Sequence, residues 1–367
     1  MNIPFIDLQP TTEQIREEYL KQVDLFLQRE NFILSPEVQQ FEQAWAKTIG
    51  TEFSVGVSNG ADALYLALLV LDIGAGDEVI TQGTAYNASV TAILRTGAVP
   101  RFADIDEKTL TLTAESAAKL ITNKTKAILP VHLYGVSGDI EALVKLAQEH
   151  SLFVIEDCAQ AHLAEYKGKK LGNWGDIGCW SFYPTKNLGA FGDAGALTFN
   201  NPELLPKLQA LRNLGQSSKN VHDFLGTNMR LDPIQAIALN LKLNYLADNT
   251  AKRVEAADYY RQQLKKLNSK ICLPEIIEGA SPVYHLFVIR LLQKNRDEAV
   301  KLLNQAGVNC AVHYPVAVYN QPFFKGLKDY CPVTDLVLSQ IISLPFWPQI
   351  THEQQDYVIS SLDNVCQ

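Results

Sequence analysis

No run of about 18 uncharged apolar residues occurs anywhere in the 367-residue sequence, which excludes an ordinary membrane-spanning helix. The opening MNIPFIDLQP has no basic stretch followed by an apolar one, so export is not expected. Lysines and arginines never cluster into a segment that could track a nucleic-acid backbone, and with 32 basic against 40 acidic residues the net charge is −8. Any anion bound here must be held locally, by backbone amides and a few side chains. CxxC spacing is missing among the six cysteines, Cys158, Cys179, Cys272, Cys310, Cys331 and Cys366. That removes the usual zinc pattern and the small disulfide scaffold, and it fits a reducing cytoplasm. No metal is expected. GxxxxGK and GxGxxG are both missing, which argues against a P-loop and against a nicotinamide-dependent oxidoreductase.

What remains is a regular alternation. From about residue 53 to 200, apolar strand-like runs (EVITQ 78–82, VPRFADID 99–106, KAILPVHLYG 126–135, LFVIEDC 152–158, CWSFYP 179–184, GALTF 195–199) are separated by amphipathic stretches such as 61–74 and 139–151. Strands apolar along their whole length are expected where both sheet faces are covered, so the pattern predicts an α/β fold with a mostly parallel sheet and ligands at its carboxyl edge. After about residue 235 the pattern changes to a long helix-like run (233–267), a strand (283–291), a helix (298–307) and another strand (309–315). The expected division is a large domain over 1–245 and a smaller α+β domain over 246–367, with residues 1–30 packing on the latter.

The candidate chemistry lies at strand ends. Asp157 closes an apolar strand, where a buried carboxylate requires a cation, although taken alone it reads equally as a helix cap. Gly60 and Ala61 open a helix whose free N–H groups suit a phosphate, but an Asn-Gly turn is by itself a weak sign. Tyr86 follows the 78–82 strand and could cover a flat ring; alone it reads better as a core tyrosine. Ser181 ends the last strand before Lys186, and Lys186 stands between Pro184 and a series of glycines. A lone lysine is usually solvated, yet this one follows Asp157, Gln160 and Ser181 in the order and spacing of a pyridoxal phosphate site, where a lysine amine joins an aldehyde.

These stretches, with FILSPEVQQFEQAWA, SNGADALYLAL, GDEVIT, VIEDCAQAHLAEYKGKKLGNWGDIGCWSFYPTKNLGAFGDAGALTF and SLPFWPQITHEQ, resemble the DegT/DnrJ/StrS family of sugar aminotransferases over nearly the whole chain. The resemblance implies a pyridoxal-phosphate fold type I architecture, with Lys186 as the lysine that links to the cofactor and Asp157 as the partner of its ring nitrogen. It also implies that Gln160 contacts the ring oxygen, that Tyr86 stacks on the ring and that Gly60, Ala61 and Ser181 hold the phosphate. Asn228, in GTNMR, would reach the phosphate of a second copy in a homodimer with shared sites. Tyr183, His313, Tyr314 and Tyr319 are the expected sugar contacts. Three positions depart from the common pattern: Gly60-Ala61 for Gly-Thr, Ser35 in FILSPE for FILGPE, and Tyr319 for a histidine.

The activity so implied is transfer of an amino group from L-glutamate to a nucleotide-linked keto-hexose, through pyridoxal 5′-phosphate and pyridoxamine 5′-phosphate. SFYPTKNLGAFGDAGA resembles enzymes acting at C3, which favours a dTDP-3-keto-6-deoxyhexose in O-antigen, S-layer or antibiotic sugar biosynthesis. A UDP-linked 3-keto sugar comes next and a 4-keto sugar third. The alternatives are a cofactor-binding regulator without turnover, against which Lys186, Asp157 and Gln160 stand together, and the family's dehydratases, in which a histidine replaces the lysine.

Overall fold

The computed structural model describes every residue except 325 and 328. Seven strands, β1 (Phe53–Val57), β2 (Glu78–Gln82), β3 (Val99–Ala103), β4 (Thr125–Leu129), β5 (Phe153–Asp157), β6 (Ile177–Ser181) and β7 (Gly195–Phe199), form one sheet in the order β1-β7-β6-β5-β4-β2-β3. Only β7 runs antiparallel to its neighbours; the other pairings are parallel. The continuous apolar runs have a direct cause. Successive side chains alternate between two cores, Val79, Leu129, Ile155 and Leu197 on one face and Ile80, Ile128, Val154 and Ala196 on the other. A polar residue at either phase would be buried, so neither phase carries the polar half of an alternating pattern.

Strands 78–82 and 195–199 fall where the sequence places them. The helix-like run 233–267 instead breaks into helices Pro233–Leu243 and Leu246–Gln263, followed by a 3-10 turn. At the break Tyr245 N donates to Lys242 O, one residue short of the α-helical partner. The expected strand over 309–315 is a further difference. Ala311 and Ser343 exchange one pair of backbone bonds, and then the segment leaves the sheet, with Pro315 bringing no N–H to continue the ladder.

The C-terminal part builds a three-stranded antiparallel sheet from Ile271–Cys272, Phe287–Leu291 and Ile341–Leu344. Its core gathers Tyr260, Phe287, Ile289, Leu344, Phe346 and Val358, and Ile3 joins it from the other end of the chain. Ile3 N donates to Gly307 O and Asn309 N returns a bond to Ile3 O, which ties the N-terminal segment there. Among the described residues no helix is long and apolar enough to cross a membrane.

Candidate active site

Three strand ends converge at the carboxyl edge of the sheet. Beyond β1 the chain turns at Asn59, whose side-chain oxygen accepts from Asp62 N at 2.8 Å and so caps the helix Gly60–Val70. Gly60 lies against the end of β6: a Cβ there would stand 2.6 Å from Ser181 Cβ and 3.3 Å from its hydroxyl oxygen. Two residues about 120 positions apart in sequence thereby bring a hydroxyl to the N-terminus of a helix, a combination suited to an anion. The closeness explains why position 60 carries no side chain.

Asp157 ends β5 and is 4 % exposed. Its carboxylate accepts from Ser89 Oγ at 2.7 Å and from Ala159 N at 3.1 Å. Burial pushes the carboxyl up from its ordinary range, and the two donors and the charge of Lys186 only partly pull it back. Among the described residues no cation stands within ion-pair distance of it. Lys186 follows β6 in a loop whose first turn is closed by Lys186 N donating to Tyr183 O at 2.8 Å. Burial draws its ammonium down to about 8, against the opposite pull of Asp157, and no hydrogen-bond acceptor for the amine is found among the described residues. A carboxylate without its cation thus faces an amine without its acceptor. That pair fits a ligand with a basic ring nitrogen at one end and an amine-reactive carbon at the other.

Around the pair, Gln160 is buried, its side-chain oxygen accepting from Tyr134 N at 2.6 Å. Tyr86, at the N-cap of the helix Asn87–Arg95, is 52 % exposed, so it is not a core residue; it stacks on Tyr314 with centroids 5.0 Å apart. His313 turns Nδ1 to Ser343 Oγ at 2.9 Å and stacks on Phe5; burial and then Lys186 draw its ring down to about 4. Tyr183 is exposed beside the lysine loop. Asn228 is exposed too, on a segment bridged through its backbone to Asn213, and the neighbouring Met229 O accepts from Ser58 N at 3.1 Å. Tyr319 corrects the sequence reading. It is 2 % exposed, edge-on to Phe102, donates its hydroxyl to Asp335 at 2.9 Å and presses against Gly83. The short 3-10 turn Val318–Asn320 points that ring into the core instead of toward a sugar.

Residues that sequence reasoning passed over complete the site. Ser89 reaches Asp157 from one turn into the helix that follows Tyr86, and its only local sign was that position in TAYNASV. His162, fully buried, has Nε2 3.0 Å from Ser181 O and is held neutral, with burial drawing it to about 3. A carbonyl only accepts, so Nε2 is the donor. His132, Glu156 and Cys158 bring three potential metal-ligating atoms within 4.8 Å of one another. Glu156 spends both oxygens on His132 Nε2, Gly172 N, Trp174 N and Gly175 N, so its carboxylate is already satisfied within the chain, and burial pushes the Cys158 thiol well up.

Strand order, the single antiparallel strand of the sheet and a half-buried lysine beside a buried aspartate at the carboxyl edge define an aminotransferase of fold type I. The pattern of the DegT/DnrJ/EryC1/StrS aminotransferase family matches residues 13–363, and the chain belongs to that family. It is 39 % identical over 362 residues to the dTDP-3-amino-3,6-dideoxy-alpha-D-galactopyranose transaminase of Aneurinibacillus thermoaerophilus, covering 98 % of this chain and 99 % of the relative. It is 40 % identical over 354 residues to a UDP-N-acetyl-3-dehydro-alpha-D-glucosamine 3-aminotransferase of Acidithiobacillus ferrooxidans, covering 96 % and 95 %. The crystal structure of S. venezuelae DesV in complex with a ketimine intermediate superposes with a TM-score of 0.96 at 38 % identity, covering 100 % of this chain and 99 % of that one.

Proposed function

We propose that this chain is a pyridoxal 5′-phosphate-dependent aminotransferase that moves the amino group of L-glutamate to C3 of a dTDP-linked 3-keto-6-deoxyhexose. The observation that carries the reading is the buried Asp157, with no cation at ion-pair distance among the described residues, beside the half-buried amine of Lys186 at one strand edge. Bound there, pyridoxal 5′-phosphate supplies the aldehyde carbon that takes up the amino group and, as pyridoxamine 5′-phosphate, stores it between the two substrates. Ser181 and the amides of Gly60 and Ala61 would hold the phosphate, Gln160 the ring oxygen and Tyr86 a ring face. Asp157 would hold a proton on the ring nitrogen and so favour electron flow into the ring. Lys186 Nζ, poised near neutrality, takes a proton from Cα of glutamate and later returns one to the sugar carbon.

The relative at 39 % identity supports a dTDP sugar aminated at C3. The UDP-linked 3-keto sugar is the second reading, favoured by the relative at 40 %. A homodimer is part of the proposal. Asn228 is exposed, and nearby Leu225 is 96 % exposed with Phe224 beside it, side chains that a second copy would cover. So is a site placed where a unit of residues 1–245 meets one of 246–367, in a cytoplasmic protein whose cysteines are unpaired. The test is a panel of dTDP- and UDP-linked 3-keto and 4-keto sugars with glutamate and pyridoxal phosphate, reading aminated product by mass. Product from the dTDP-3-keto sugar, lost in Lys186→Ala, is expected. A chain that binds the cofactor but transfers nitrogen to none of them is a regulator, and the reading fails.

A further inference from the structure

Close to Lys186 the loop is gripped from outside its own turn at two points, and further along Phe191 N donates to Gln235 Oε1 at 2.8 Å. Lys242 Nζ donates to Gly189 O at 2.7 Å, and Asn187, the residue after the lysine, donates its side-chain N–H to Val283 O at 3.1 Å. The second grip has a consequence for orientation. With the amide nitrogen of Asn187 spent on Val283, its oxygen is turned the other way, where His285 Nδ1 stands at 3.3 Å. An amide oxygen only accepts, so Nδ1 carries the hydrogen and the tautomer of His285 is fixed. The ring is 6 % exposed, and burial keeps it neutral.

The platform behind this histidine is stiff. Val283 N donates to Gly135 O and His285 N to Tyr134 O, both at 2.9 Å. Gly135 runs so close that a Cβ on it would stand 2.9 Å from His285 N and from Gln160 O, and its φ of +84° suits glycine alone. From the other side Arg253 Nη1 reaches Tyr284 O at 3.3 Å and His285 O at 3.5 Å. Arg253 is 4 % exposed, and among the described residues it has no carboxylate partner, so its charge is met by these carbonyls. Two residues later the chain enters the strand Phe287–Leu291 of the C-terminal sheet.

We infer that His285 and Asn187 are positioning residues that act as one unit, a hydrogen-bonded clamp that fixes the aim of the Lys186 side chain from the approach to the C-terminal sheet. Neither touches the reacting atoms in this role. The pair acts through the backbone of residue 186, whose amine must reach a carbon and exchange protons at a defined spot, and a misplacement of about 1 Å in such a group costs on the order of a hundredfold in rate.

The inference rests on the aminotransferase reading, and its test separates the two. His285→Leu and Asn187→Ala are expected each to lower kcat by about 10- to 100-fold while changing the KM of glutamate by less than about threefold. The double variant should be no slower than Asn187→Ala, because that single change already removes both the bond to His285 and the bond to Val283. His285→Asn, whose side-chain N–H lies where the imidazole Nδ1–H lies, should restore the rate to within about threefold of the unsubstituted protein. In the cofactor-free protein, hydrogen exchange over residues 183–189 should speed up in both single variants and not in His285→Asn. Multiplying effects in the double variant, a His285→Asn as slow as His285→Leu, or unchanged exchange over 183–189 each overturn the clamp. Should His285→Leu be too unstable to purify, Asn187→Ala and His285→Asn decide the matter by the same rate and exchange criteria. An unsubstituted protein that transfers no nitrogen defeats the aminotransferase reading, and the exchange measurement still decides the clamp.

Discussion

Glu156 and Asp157 are consecutive carboxylates at the end of β5, one 0 % and the other 4 % exposed, facing opposite sides of the sheet. Glu156 accepts four hydrogen bonds, from His132 and three backbone N–H groups of the 172–175 turn. Burial works to raise its carboxyl, but those donors outweigh burial and hold it below its ordinary value. Asp157 accepts two, and burial wins. Depth is therefore no guide to role. A buried charge whose needs are met within the chain holds the fold together, whereas one whose needs are left unmet is set up for something that arrives.

If that contrast is sound, removing each charge should damage a different property. Asp157→Asn carries the largest expected effect: a fall in turnover of about a hundredfold or more, since the lost interaction is with charge that develops during reaction. Occupancy by pyridoxal phosphate, read by absorbance, should fall by less than about threefold, because the phosphate cradle and Lys186 remain. Stability of the cofactor-free chain should hold or rise at neutral pH. A carboxyl raised by burial contributes its stability at low pH, below its unfolded value, and loses it as pH rises through the raised native value, so at neutral pH the native aspartate is a cost. Equal losses of rate and of cofactor binding would erase the distinction.

Glu156→Gln is the mirror image and the next largest effect. It places an amide N–H against backbone donors and should cost about 3 kcal/mol in urea unfolding at neutral pH, with turnover of the folded fraction changed by less than about threefold. Here the sign reverses. A lowered native pKa gives stability that is present above the unfolded value and is lost as pH falls through the native one, so the gap between the unsubstituted protein and Glu156→Gln should close below about pH 4. A gap that persists in acid would mean that shape rather than charge is lost.

The sequence carried one side of the comparison better than the other. Asp157, Ser181 and Lys186 lie within one stretch, and although Asp157 alone reads equally as a helix cap and a lone lysine as solvated, their order and spacing single the set out. The strands 78–82 and 195–199 are readable for another reason, because two covered faces leave no polar phase. Ser89 and His285 were not readable: their partners stand 68 and 98 residues away, and nothing in the neighbourhood of either announces the pairing. Tyr319 failed differently. A tyrosine near a substrate-facing segment satisfies its hydroxyl equally well in the core, and only the turn at Val318–Asn320 decides which way the ring goes.

The smallest expected effect sharpens the contrast most. Ser89→Ala moves Asp157 further from the condition of Glu156 by deleting the 2.7 Å donor and leaving only Ala159 N. A hydrogen bond to a carboxylate favours the charged form, so its loss pushes the Asp157 carboxyl higher still. With about 1 kcal/mol of stabilisation gone from the charged form, turnover at neutral pH should drop about fivefold. The acid limb of the rate profile should move to higher pH, because the carboxylate that must stay ionised now protonates sooner. Ser89→Thr, which keeps the hydroxyl, should leave that limb in place. A slower Ser89→Ala enzyme with an unmoved acid limb would show the serine to be packing rather than tuning, and the difference between the two carboxylates would then rest on Glu156's donors alone.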